Sequence, residues 1–173
     1  MIFSSEYTFK GIHADRVKDL TGFKFDKEHV IFERNMDVYL LAPIVGFLYN
    51  RRSPVDKGAS TTKIFTDILL KYQKELEFNY RLIMLLDEEH EADFEKRVDK
   101  AFRHYGDKTA TADVERYEEY VRGGIDVLHE KLMQNASMPD DYIKNLYEFM
   151  KEFDSRYNQS SDEIIDLCKL ARS

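Results

Sequence analysis

The sequence predicts a mainly α-helical bundle, opened by a short N-terminal strand or β-hairpin and packed as a single compact unit. Three observations carry this. Seven Gly and three Pro in 173 residues leave few break points, which disfavours a many-stranded fold. Hydrophobic residues make up 43% of the chain, with 12 Phe and 11 Tyr, so a core can form although 34% of residues are charged. From residue 64 onward, apolar residues recur at spacings near three and four.

The first ten residues, MIFSSEYTFK, alternate: Phe3, Ser5, Tyr7 and Phe9 share one face, which is the period of a strand. A short helix is expected from about His13 to Leu20, with Gly22 free to take the left-handed position that ends it. The run EHVIFE reads as a second strand or an extended lead-in, and Asn35 is placed to cap the next helix.

That helix, about Met36 to Asn50, holds the stretch Val38–Tyr49 without one charged or amide side chain. Twelve residues span about 18 Å as a helix, against ~30 Å for a bilayer core. With charges at both ends, the segment reads as a surrounded core helix and not a membrane span. Pro43 introduces a kink by removing the bond to the carbonyl of Tyr39, and Gly46 lets another element come close. Residues 51–63, RRSPVDKGASTTK, form the clearest loop.

A long helix is expected from about Thr62 to Asp87, with Ile64, Ile68, Leu69, Tyr72, Leu76, Ile83 and Leu86 on its buried face. A further helix follows over 88–106, with Phe94, Val98, Ala101 and Phe102 inward and Gly106 near its end. Thr111 is a cap candidate for the next, whose stripe is Val114, Tyr117, Val121, Ile125, Leu128 and Leu132. Gly123-Gly124 in its middle marks a kink, a break or a tight crossing. The last long helix, about Asp140 to Tyr157, has Ile143, Leu146, Tyr147, Met150 and Phe153 inward. Ser160-x-x-Glu163 is a capping box before a short helix around Ile164 to Ala171. Residues 1–63 thus form a strand–helix–helix part with a basic loop, and 64–173 an acidic helical part. The two are expected to pack as one domain, because about sixty residues would be marginal alone.

The net charge of −7 is uneven: +2 over residues 1–63 and −9 over 64–173. A uniformly basic nucleic-acid binder is excluded, while a local basic patch stays open. The single cysteine, Cys168, rules out an internal disulfide framework and a Cys-based zinc site. No secretory leader pattern opens the chain, so the expected compartment is the cytoplasm.

Several constellations bear on chemistry. Asp87-x-x-His90 and Asp126-x-x-His129 each place a carboxylate and an imidazole on one helix face, as metal-binding bundles do. Asp is shorter than the Glu those sites use. The plainer reading is that Asp87, Glu88, Glu89, His90 and Glu91 form a solvated helix junction. No Gly-x-Ser-x-Gly, phosphate-binding Gly-rich loop or His-Glu-x-x-His is present, so no cofactor and no catalytic residue is expected. Arg51, Arg52, Lys57 and Lys63, with the Ser and Thr residues of the loop, are candidates for phosphate or partner contact. Two of them also sit at a helix C-terminus, where cations offset the dipole. Dense carboxylates on the helices suit a basic partner, or a mimic of DNA.

The segment GFKFDKEHVIFERNMDVYLLAPIVGFLYNRR resembles the core segment of small bacterial proteins associated with DNA phosphorothioation (Dnd-type) defence loci. Phe32, Asp37, Val38, Ala42, Gly46, Phe47, Arg51 and Arg52 carry the likeness, which is confined to about residues 22–52. It implies an accessory role in phage defence or DNA transactions and no catalytic residue. Three functions follow as expectations. The first is a non-enzymatic protein that binds a macromolecular partner, with a protein partner favoured and nucleic acid admitted through the 51–63 loop. The second is an acidic inhibitor occupying a nucleic-acid-binding groove. The third is a metal-dependent bundle enzyme using Asp87, His90, Asp126 and His129. Self-association through the N-terminal strand is open in each.

Overall fold

A computed structural model describes residues 3–22 and 30–157. Strand β1 (Tyr7–Lys10) leads directly into helix α1 (Gly11–Gly22), and α2 (Asn35–Leu48) follows. After the loop, strand β2 (Thr61–Ile64) pairs antiparallel with β1, Tyr7 facing Ile64 and Lys10 facing Thr61. Then come α3 (Thr66–Lys71), α4 (Gln73–Leu86), α5 (Phe94–Val98), a π-helical turn at Asp99–Arg103 and a 3-10 turn at Lys108–Ala110. Helices α6 (Thr111–Leu132) and α7 (Pro139–Tyr157) complete the described chain.

The apolar α2 is the central element, packed mainly on α6 and flanked by α1, α4 and β2. Glycine allows that contact. A Cβ on Gly46 would overlap the carbonyl of Tyr120, and one on Gly124 would overlap the carbonyl of Ala42. The two backbones therefore touch where most helix pairs are held apart by side chains. Gly123-Gly124 is a tight crossing within one continuous helix. Pro43 is buried inside α2 and the helix runs through it. One turn before it, Asn79 Nδ2 donates to the carbonyl of Leu40 (2.8 Å). No helix among the described residues is long and apolar enough to cross a membrane.

Aromatic rings fill the space between sheet and helices. Tyr7 packs on Tyr39 (centroids 4.4 Å apart), Phe3 on Tyr117 (5.7 Å) and Tyr80 on Tyr117 (5.7 Å). The expected strand face is correct in sense, since Phe3 and Phe9 are buried and Tyr7 half-buried. The strand itself covers only Tyr7–Lys10.

Other expectations need correction. The helix expected over Thr62–Asp87 is three elements. Thr61, Thr62 and Ile64 are β-branched and join the ladder with β1, Phe65 is extended, and Tyr72 interrupts the helix between α3 and α4. Asn35 is not the cap of α2. Arg34 occupies that position, with Asp37 Oδ2 accepting the Arg34 N–H (2.9 Å), and Asn35 instead reaches across to β2. Gly22 is not left-handed; it ends α1 without positive φ. Thr111 does not cap α6, whose preceding residue is Ala110.

The helix expected over 88–106 begins only at Asp93, whose carboxylate accepts the N–H groups of Glu95 and Lys96. Of the residues expected inward, Ala101 is buried while Phe94 and Phe102 are exposed. Gly106 does mark the end, with φ +84°. On α7, Phe149 is the buried anchor, with Leu146 and Phe153 packed beside it. Ile143, Tyr147 and Met150 point outward at 52%, 66% and 62% exposure. The Ser160–Glu163 capping box, the helix after it and Cys168 lie outside the described residues, as do Glu28 and His29 of EHVIFE; its remainder, residues 30–33, forms no strand and holds only a single bridge residue at Val30.

Candidate functional site

The basic loop is a fixed structure. Asn50, at φ +47°, turns the chain out of α2, and the N–H of Arg51 donates back to the carbonyl of Gly46 (2.8 Å). The next residues run along α6. A Cβ on Gly123 would overlap the carbonyl of Arg51, so only glycine lets the loop lie there. Ser53 N–H donates to the carbonyl of Glu119 (3.1 Å), and Arg122 Nε donates to the carbonyl of Ser53 (2.7 Å). Further on, the Asp56 carboxylate accepts the N–H of Ile12 (2.6 Å) at the start of α1. That bond, with others from the Gly58 and Lys57 backbone, holds Asp56 below the usual carboxylate range.

Three of the four candidate cations have carboxylate partners. Arg51 pairs with Glu130 (3.0 Å), Arg52 with Glu89 (3.4 Å) and Lys63 with Glu6 (2.7 Å). Lys57 is exposed beside Asp56. Three of the four cations are thus balanced by carboxylates, and the loop, held by backbone hydrogen bonds, is not a positive patch.

The four candidate metal ligands fall into separate contact sets. Asp87, buried at the end of α4, accepts from Arg116 Nε (2.7 Å) and the Tyr120 hydroxyl (3.0 Å). His90 Nε2 lies 2.6 Å from Asp113, which also receives Lys100 Nζ (2.6 Å). His129 meets Asp19 at the surface (3.0 Å). Asp126 is buried in α6 and surrounded by Arg16, His13 Nε2 (3.2 Å) and the Ser53 hydroxyl. Among the described residues, no three His, Cys, Asp or Glu side chains come together as a metal-ligand group. Asp87 and His90 share no helix face, because α4 ends at Leu86 and both lie in the turn after it; Asp126 and His129 share a face of α6, and the two pairs do not meet.

Asp126 ties three segments together: α1 through His13 and Arg16, the loop through Ser53, and α6 itself. Burial alone would raise its pKa, but hydrogen bonds from His13 and Ser53 and the charge of Arg16 outweigh that and lower it.

A second polar centre lies nearby. Both oxygens of Glu118 accept tyrosine hydroxyls, Tyr7 at 2.6 Å and Tyr39 at 2.7 Å. Burial pushes the Glu118 carboxyl up, partly offset by those two donors. Burial and the Glu118 charge also raise both tyrosines well above their ordinary value. Glu115, Glu118 and Arg122 form one stripe of α6 and line a cleft of about 230 Å³ against β1. His13, Arg16, Glu118 and Arg122 were not singled out by sequence reasoning, and Ser53 only as part of the 51–63 loop. The one readable signal, for Glu118 and Arg122, is the i, i+3, i+7 polar stripe they form with Glu115 beside the apolar face of α6.

A family model described as DNA sulphur modification system-associated protein 4 matches residues 12–169. The match runs through the acidic helices, well beyond the stretch 22–52. No curated protein and no solved structure matches the chain.

Proposed function

The chain belongs to the DNA sulphur modification system-associated protein 4 family, and from that premise we propose a non-enzymatic accessory protein that binds a protein partner in a bacterial DNA-modification or phage-defence complex. The observation carrying this reading is the charge balance of the 51–63 loop. Phosphate binding needs excess positive charge, because affinity comes from neutralising phosphates and releasing their counterions. Here Arg51, Arg52 and Lys63 already face Glu130, Glu89 and Glu6. A mixed-charge rim on a rigid frame suits a protein surface better. The outward Ile143, Tyr147 and Met150 of α7 supply apolar anchors of the kind such contacts use. The reading assigns the protein to the cytoplasm, with the DNA such a system modifies.

Two measurements on the full chain test it. Affinity capture from cells that co-express the sulphur modification proteins is expected to retain one of them. Titration with duplex DNA at physiological salt is expected to show no binding tighter than the roughly 10⁻⁴–10⁻⁶ M of non-specific contact. Tight, steeply salt-dependent DNA binding without any captured protein would overturn the proposal.

A further inference from the structure

The two outer edges of the small sheet differ. Gly11 N–H donates to the carbonyl of Ser60 (2.8 Å), continuing the β1–β2 register by one hydrogen-bonded pair. Such pairs alternate along an antiparallel ladder, so Phe9–Thr62 and Tyr7–Ile64 are hydrogen-bonded pairs as well. The intervening residues, Thr8 and Lys10 on β1 and Lys63 on β2, direct their backbone groups outward. On the β2 side this edge is covered, because Asn35 Nδ2 donates to the outward carbonyl of Lys63 (3.0 Å) and to Thr62 Oγ1 (2.9 Å). On the β1 side, the Thr8 N–H and C=O and the Lys10 N–H have no partner among the described residues.

That open edge borders the 230 Å³ cleft, which all four residues of β1 line. Glu115, Glu118 and Arg122 of α6 form the opposite wall, with Val55 and Asp56 at the loop end. Arg122 is turned away from a ligand, donating to the Ser53 carbonyl and to Glu115 (2.6 Å). The groove is thus a strand edge facing carboxylates, with Lys10 as its one uncommitted cation among the described residues.

We propose that this groove receives an extended, Lys- or Arg-bearing segment of a protein partner as a third strand on β1. Added strands gain affinity from main-chain hydrogen bonds and selectivity from alternate side chains. The Thr8 and Lys10 backbone groups supply the first. Glu118 and Asp56, opposite the edge, supply the second by favouring a cation on the inward-facing side chain. The inference rests on the partner-binding reading above and names the site and chemistry of contact.

Backbone amide exchange of the full chain, read residue by residue, tests it. The probes are two capped hexapeptides, one alternating Val and Lys, the other Val and Glu. In the free chain, Thr8 and Lys10 amides should exchange quickly and Tyr7 and Phe9 slowly. The Val/Lys peptide should slow Thr8 and Lys10 by on the order of tenfold or more, and the Val/Glu peptide should not. Thr8→Pro removes the outward N–H while sparing the β2 ladder, and should abolish the slowing at Lys10. Thr8→Val should preserve it, and retained protection of Tyr7 and Phe9 shows that either variant is folded. Unchanged exchange at Thr8 and Lys10 overturns the proposal, as does equal slowing by both peptides. Protection that grows with protein concentration alone would assign the edge to a second copy and overturn it too. Failure to capture any partner defeats the function proposed above, whereas failure of the peptide experiment defeats only this groove.

Discussion

Gly124 of α6 lies so close to the carbonyl of Ala42 in α2 that any side chain at 124 would overlap it. Gly46 stands in the same relation to Tyr120. This backbone-to-backbone crossing lets the loop after α2 lie on Gly123 and brings Asp126 under Ser53. The rest of the candidate surface depends on it.

Gly124→Ala and Gly46→Ala are expected to destabilise the fold by about 3 kcal/mol each, since backbone must move to admit a methyl group. Gly22→Ala, at the end of α1 with nothing within 4 Å of its Cβ position, should be neutral or stabilising by up to about 1 kcal/mol. Denaturant unfolding of the three variants checks the contrast.

Asp126→Asn should cost on the order of 2 kcal/mol at neutral pH, because His13, Arg16 and Ser53 lose a buried anionic partner. The Asp126 carboxyl has its pKa lowered in the fold. Its contribution is therefore present above the unfolded Asp value near 3.9 and disappears as pH falls through the lower folded value. Across this acid range, stability should fall more steeply with falling pH for wild type than for the variant.

Glu118 carries the opposite sign. Burial raises its folded pKa, so the stability linked to it is fully present below the unfolded Glu value near 4.3 and declines as pH rises through the folded value. Glu118→Gln should flatten the stability profile in that window, as thermal unfolding at stepped pH would show.

Arg51→Glu with Arg52→Glu places new carboxylates beside Glu130 and Glu89. Both native pairs are partly exposed, so the stability loss should stay within about 1 kcal/mol. Affinity for duplex DNA should not change, while affinity for a captured protein partner should fall. An equal loss of DNA binding would return the loop to phosphate recognition.

The core was more legible in the sequence than the polar network. An uncharged run holding Gly46, and a Gly123-Gly124 pair in a second periodic segment, announce two helices that cross closely. Local spacing could not show that Thr61–Ile64 leaves helical periodicity to pair with Tyr7–Lys10, some fifty residues away. The same limit hid the partners of Asp126. Its i, i+3 partner His129 was visible, whereas His13, Arg16 and Ser53 come from distant segments that only the fold assembles. The loop cations were legible as a cluster, but the carboxylates that pair with Arg51, Arg52 and Lys63 lie on three other parts of the chain. On α7 the apolar spacing was right and the buried side was misjudged, because Phe149 and Tyr147 stand on different faces.

The central claim is recognition of a protein and not of phosphate. The most direct test is the mass, by light scattering, of the complex isolated after co-expression with the sulphur modification proteins and exhaustive nuclease treatment. A nuclease-resistant assembly with fixed stoichiometry of this chain and one other protein is the predicted result. Release of this chain on nuclease treatment, with DNA as the only bridge, would contradict it.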